Sequence, residues 1–328
     1  MNRRKLIITV AVSMVVVTLA IAGLAYFSGF PASAFVQDLP VAVHYLPSDS
    51  QAVFGMNVRR FTASPLYAQF MDRHGQEIGA DLAEFIANTG VDPRRDVRYI
   101  IAAGRAGHSK GTGVVIAVGD FNPAKITEFI RSKGAPVRAD YKGANVLVLP
   151  AGAHPGFEKG IAFLSDSEIA LGTLDSIHAV LDVRSHSLPS IDENAAMAGM
   201  LAGLDPQEMF WFAGDAAAIL SQAPAKTPML PALSSVQTVF GTMNLTAANA
   251  LNGKVTVTAI NETAAGQLAD FVTGLVALGN LASAQNPELA ELIKNVQITR
   301  RANQFDVALN VPFELLQQLE VARGHLVK

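Results

Sequence analysis

The sequence predicts an α+β protein, an N-terminal transmembrane helix followed by two ferredoxin-like (βαββαβ) repeats with a mainly antiparallel sheet. Three observations predict it. Residues 6–27 form an uncharged apolar run, and a strand, hairpin and helix order recurs in the remainder of the chain. Half of the 328 residues are apolar and 16% are charged, which leaves ample material for a core and excludes collagenous and wholly disordered classes.

Residues 6–27 (LIITVAVSMVVVTLAIAGLAYF) carry no charge, and at helical rise they reach roughly 33 Å, enough to cross a bilayer core of about 30 Å. Arg3, Arg4 and Lys5 precede the run. The positive-inside rule therefore leaves residues 1–5 in the cytoplasm and the rest of the chain outside, with the run as a signal anchor. Ala32-Ser33-Ala34 is a small-x-small site where a cleaved leader would end, but the run exceeds the usual signal-peptide core of about 7–15 residues.

Residues 28–45 contain Pro31 and Pro40 and read as a linker. The first repeat is expected over 46–203 and the second over 204–328. Leu46-Pro47-Ser48-Asp49 leads into the apolar strand Ala52-Val53-Phe54-Gly55-Met56, and Leu204-Asp205-Pro206 leads in the same way into Met209-Phe210-Trp211-Phe212. In the first copy a helix is expected over 65–73, then strands over 97–103 and 112–118 joined by a Gly-rich turn. A helix follows, with Asn122 as N-cap, Pro123 at N1, the stripe Ile126, Phe129 and Ile130, and Gly134 just past its end. Strands over 146–149, 160–164 and 168–171 lead to a closing helix through Leu174, Ile177, Val180 and Leu181.

The second copy repeats the order: strands over 236–245 and 253–260, Asn261 as cap, and a longer helix along Leu268, Phe271, Val272 and Leu275. Strands over 295–299 and 305–311 come next, before a closing helix through Phe313, Leu315, Leu316 and Leu319. Between the copies, Asp192 is placed as the cap of a short helix carrying Met197, Met200 and Leu201. Residues 222–233 hold Pro224, Pro228 and Pro231 and read as an irregular surface loop.

The net charge of -3 offers no basic excess for nucleic acid. With no cysteine, disulfides, thiolate metal sites and cysteine nucleophiles are excluded. Residues 104–113 (GRAGHSKGTG) imitate a phosphate-binding loop, but Lys110 is followed by Gly111 and the segment runs into a strand rather than a helix. The seven histidines show no metal-ligand spacing; His178 alone has a helical carboxylate neighbour, Asp182, and that pair reads as an exposed contact. Asp166 and Glu168 flank a turn, and Ser185-His186-Ser187 lies in a polar loop. Arg59, Arg60, Arg94, Arg95 and Arg98 sit next to expected strand ends and Arg300 and Arg301 at a turn of the second copy; they read as solvated surface, with contacts to anionic headgroups or glycans as the alternative. No catalytic, cofactor-binding or metal-ligating residue is assigned, and no cofactor is expected.

The segment Leu46 to Val58, with Ser64-Pro65 after it, Val118-Gly119-Asp120-Phe121, and the stretch from Gly172 to Leu181 resemble uncharacterised bacterial envelope proteins of the acidobacterial kind, which share an N-terminal anchor and a domain of unknown function. The resemblance implies an exported bacterial protein and carries over no catalytic residue. The expectation is a non-catalytic binding or scaffolding module outside the membrane, held by its N-terminal helix and meeting an envelope protein partner. An envelope hydrolase assembled from distant residues and an accessory subunit of a membrane complex remain open alternatives.

Overall fold

The computed structural model describes residues 39–105, 113–134, 136–149, 158–216, 233–246, 249–282 and 287–315. The chain divides into two compact units, whose described residues run from Leu39 to Phe212 in the first and from Ala213 to Leu315 in the second. Residues 6–27 lie outside the described residues. Among the described residues no helix is long and apolar enough to cross a membrane.

In the first unit a 3-10 turn (Val41–Tyr45) leads to β1 (Ser50–Asn57), then α1 (Val58–Thr62), α2 (Pro65–Thr89), α3 (Pro93–Asp96), β2 (Val97–Arg105) and β3 (Gly113–Gly119). After α4 (Pro123–Lys133) come β4 (Val137–Tyr141), β5 (Ala144–Val148), β6 (Lys159–Ser165) and β7 (Glu168–Thr173). The unit closes with α5 (Leu174–Arg184), a 3-10 turn (Ile191–Glu193), α6 (Ala195–Ala202) and β8 (Phe210–Asp215), whose last three residues belong to the second unit. The strands lie in the order β8-β1-β2-β3-β7-β6-β5-β4, and each pairing from β1 through β4 is antiparallel.

Cross-strand partners share a face, so the register defines rows. One row runs Gly55, Ile101, Ile116, Ala170, Ala162, Val146, and the next, on the opposite face, runs Phe54, Ala102, Val115, Leu171, Ile161, Leu147. Both are apolar throughout, the pattern of a sheet covered on two sides. On the Phe54 face, Phe61 of α1, Phe85 of α2 and Ile126 and Ile130 of α4 close over Met56, Ile100, Leu147 and Ile161. On the Gly55 face, α5 sets Ile177 beside Gly160, and the buried Trp211 lies against Gly55, where a Cβ would collide with the indole. The Trp211 indole N–H donates to the Tyr99 hydroxyl, and burial pushes the Tyr99 ionisation well above its ordinary value.

In the second unit β9 (Val236–Leu245) and β10 (Ala250–Ala259) form a hairpin, followed by α7 (Glu262–Ala282), α8 (Pro287–Lys294), β11 (Val296–Arg301) and β12 (Gln304–Pro312). The strand order is β11-β12-β10-β9. Rows such as Gly241, Val255, Val307, Ile298 alternate with Thr242, Lys254, Ala308, Gln297. Ala265, Leu268 and Ala269 of α7 cover the first kind of row with Val257, Phe305 and Val307. On the other face Lys254, Gln297 and Thr299 are exposed.

Two ferredoxin-like βαββαβ repeats are therefore not what the chain forms. In that unit the strands flanking the first helix run parallel, with another strand between them. Here β1 and β2, which flank α1, α2 and α3, are direct antiparallel neighbours, from Ser50 opposite Arg105 to Asn57 opposite Tyr99. In the second unit the strand beside β10 on its free side is β9, which arrives by a hairpin and not through a second helix. Three local details also differ. The helix expected over 65–73 runs to Thr89, where Gly90 closes it with φ 73°. Gly134 is extended (φ -178°), with no left-handed cap. The short helix after residue 190 is capped by Asn194, whose Oδ1 accepts from Met197 N at 3.1 Å, while Asp192 lies in the preceding 3-10 turn.

Candidate functional site

Where β1 ends, Asn57 turns the chain: its Oδ1 accepts from Arg60 N at 3.3 Å and caps α1. The five-residue α1 points Val58 into the core and leaves Arg59 and Arg60 exposed. Pro65 then starts α2, and Tyr67 on its first turn meets the Phe61 ring edge-on at 5.7 Å. Past the far end of α2, Asp92 caps α3 by accepting from Arg94 N at 3.0 Å, and Asp96 reaches back to Asp92 N at 2.8 Å.

These three helices enclose an open cleft of about 580 Å³ lined by Arg59, Thr62, Ala63, Tyr67, Arg94 and Arg95. Its walls are the Tyr67 ring, Ala63 and arginine stems; its rim is cationic. Asp92 accepts from Arg94 Nε and Nη2 at 2.9 and 2.7 Å, and Asp96 from Arg95 Nε and Nη2 at 2.7 and 2.8 Å. These paired bonds hold both carboxyls below the ordinary carboxylate range, Asp92 through Arg94 and Asp96 through Arg95. Arg94 is raised by the same bond, which it donates to Asp92, and also meets the Tyr67 hydroxyl. A two-pronged pair occupies one edge of a guanidinium and leaves the other donors facing outward. Arg59 and Arg60 make no ion pair among the described residues. Behind the cleft Phe61 contacts Phe70 at 6.2 Å and Phe210 at 5.5 Å, which ties α1 to the sheet.

The structure thus gathers Arg59, Arg94 and Arg95 from positions 35 residues apart, a juxtaposition that spacing does not reveal because α2 lies between them. Arg98 instead pairs with Asp120 at 2.5 Å, and Arg300 lies across Gly266 of α7. The His178 ring stacks on Tyr141 at 3.8 Å, and Asp182 accepts from the Tyr141 hydroxyl at 3.1 Å, so the expected helical pair is divided by a residue of β4. Burial and this bond to Asp182 raise the Tyr141 ionisation. His44 pairs with Asp192 at 2.8 Å, and Ser187 takes Lys142 at 2.7 Å. Glu168 accepts from Ser165 at 3.1 Å beside the Asp166 turn. His108, His154, His325, the loop 106–112 and most of the proline-rich segment lie outside the described residues. Among the described residues no group of three His, Asp or Glu side chains stands close enough to hold a metal ion.

No family model and no curated protein matches the chain. Among solved structures it is similar to crystal form I of TP0453, with 8% identity over 86% of this chain and 96% of that one at a TM-score of 0.47. It is likewise similar to crystal form III of TP0453, with 12% identity over 84% and 95% of the two chains at a TM-score of 0.46.

Proposed function

We propose that the chain is a single-pass bacterial envelope protein whose folded units form a binding or scaffolding module on the outer side of the cytoplasmic membrane. The observation that carries this reading is the uncharged run of residues 6–27 directly after Arg3, Arg4 and Lys5. The arginine-rimmed cleft supports the binding half of the reading, because it combines fixed cations with apolar walls. Side chains that the sequence offers for chemistry are engaged otherwise: His178 in a ring stack, His44 in an ion pair, Glu168 in a turn.

The test is alkaline carbonate extraction of cells expressing the full chain with a C-terminal reporter that is active only outside the cytoplasm. The chain is expected to stay with the membrane and the reporter to be active, and deletion of residues 6–27 is expected to abolish both. Recovery of the intact chain in the soluble fraction, or an inactive reporter on a membrane-bound chain, overturns the reading.

A further inference from the structure

We propose that the cleft between α1, α2 and α3 is a docking site for the phosphodiester headgroups of anionic phospholipids in the membrane that anchors the chain. The proposal rests on the anchored reading above and adds the ligand class and the surface. Three arginines, Arg59, Arg94 and Arg95, line the cleft, and they differ in a way that matters for recognition. Arg94 and Arg95 are each clamped by a carboxylate at two atoms, Asp92 and Asp96, which are themselves only 18% and 17% exposed. The clamp fixes the direction of each guanidinium and leaves its remaining N–H donors for an acceptor in front of it. Arg59 enters the same cleft from α1 and makes no ion pair among the described residues. Three cations against two carboxylates leave the cleft positive on a protein whose net charge is -3, so the attraction for an anion is local to this face.

Two further features favour a lipid surface over a free phosphate. The cleft is open and its walls carry the Tyr67 ring, backed by Phe61 and Phe70, an aromatic body with a polar tip of the kind that settles at the headgroup level. Between Phe27 and Leu39 only residues 28–38 intervene, which at full extension reach about 40 Å. A tether that short keeps the membrane's own headgroups at high effective concentration around the first unit.

The experiment places the full chain in nanodiscs of phosphatidylcholine alone or of phosphatidylcholine mixed with phosphatidylglycerol, and follows amide hydrogen exchange over residues 57–67 and 92–98. Phosphatidylglycerol is expected to slow exchange there about fivefold, with the effect lost at high salt. Arg59→Ala and Arg95→Ala are each expected to weaken it about fivefold. A third arm adds glycerol phosphate to the neutral discs. Protection by glycerol phosphate alone, with none added by phosphatidylglycerol, overturns the lipid assignment in favour of a soluble phosphate ester. Equal exchange in both kinds of disc, with the chain still disc-bound, overturns the docking site while leaving the anchored reading intact. A chain that does not enter the discs overturns both.

Discussion

In the first unit, rows drawn across β1, β2, β3, β7, β6 and β5 are apolar on both faces, whereas rows across β9, β10, β12 and β11 alternate between an apolar face under α7 and a face carrying Lys254, Gln297 and Thr299. The strands of the two units are built by the same backbone rules, and what separates them is how many sides are covered. A doubly covered sheet has no face on which an extra atom is free, while a singly covered one can add atoms toward solvent and must manage polar groups there.

Two glycines, each on a helix-covered face of its strands, give the largest expected contrast, because only one has a side chain standing where a Cβ would go. At Gly55 an added Cβ would collide with Trp211, which is fully buried and hydrogen-bonded to Tyr99. Gly55→Ala is therefore expected to cost about 3 kcal/mol. At Gly253 of β10 the nearest neighbour of an added Cβ would be the Thr242 carbonyl oxygen at 3.7 Å. Gly253→Ala is expected to be stabilising by roughly 0.5 kcal/mol, because alanine loses less backbone freedom on folding. Since Trp211 is the single tryptophan, urea unfolding of the detergent-solubilised chain by fluorescence reports the first unit, and circular dichroism reports both. Similar midpoints for the two variants would break the comparison.

A smaller effect is expected at Asp306 on the polar face of the second unit. Burial pushes its carboxyl up, but the hydrogen bond from Thr256 Oγ1 at 2.7 Å and the Lys254 ammonium at 3.0 Å outweigh burial and leave it below the ordinary value. A carboxyl lowered by folding stabilises the native state above its unfolded value, about 3.9, and loses that contribution as pH falls through the lower folded value. Asp306→Asn is expected to cost about 1 kcal/mol at pH 7 and to unfold with a shallower dependence on acid than the parent. Asp92 and Asp96 contribute acid sensitivity of the same sign in the first unit, so the reading is the difference between parent and variant by dichroism. An unchanged acid profile would show that Asp306 is not held by its partners.

The smallest expected effect tests the exposed helices. Lys133 and Glu84 join α4 to α2 at 2.5 Å, yet both side chains are about half exposed, at 51% and 45%. Glu84→Gln is expected to change stability by less than about 0.5 kcal/mol by urea titration, and a loss above 1 kcal/mol would mean that the pair organises the helix contact.

Hairpins and capped helices were legible in the sequence because their signals are local. The strand pair expected over 97–103 and 112–118 is β2 with β3, and Asn122 caps α4 by accepting from Lys125 N at 3.1 Å. Asn261 likewise accepts from Ala264 N at 2.8 Å. Strand neighbours were not legible, because a strand, helix, strand order is compatible with either a parallel split pair or the adjacent antiparallel pair that β1 and β2 adopt. Edge strand β4 escaped notice since Val137-Arg138-Ala139-Asp140-Tyr141 has no buried residue to set a period. Its signal was the turn that follows, where Lys142 and Gly143 both take positive φ, 54° and 76°, as a two-residue hairpin turn requires. The cleft was half legible: the arginines stood out singly, but it is the antiparallel pairing of β1 with β2, with Asn57 opposite Tyr99, that brings residue 59 beside residue 95 across the intervening α2.

The position of β1 between β2 and β8 sets a schedule for the growing chain. Its partner on one side is complete at Arg105, while its partner on the other begins only at Phe210, and the ribosome needs on the order of ten seconds to cover the gap. The strap that ties Leu46 to Ile191 and Ser48 to Pro189 closes scarcely earlier. Until then β1 is an unpaired edge of apolar residues, the state most open to capture by another chain. Nascent molecules are therefore most exposed to mispairing midway through synthesis, and a chaperone that shields the first strand during that interval would act at the step where this architecture is least protected.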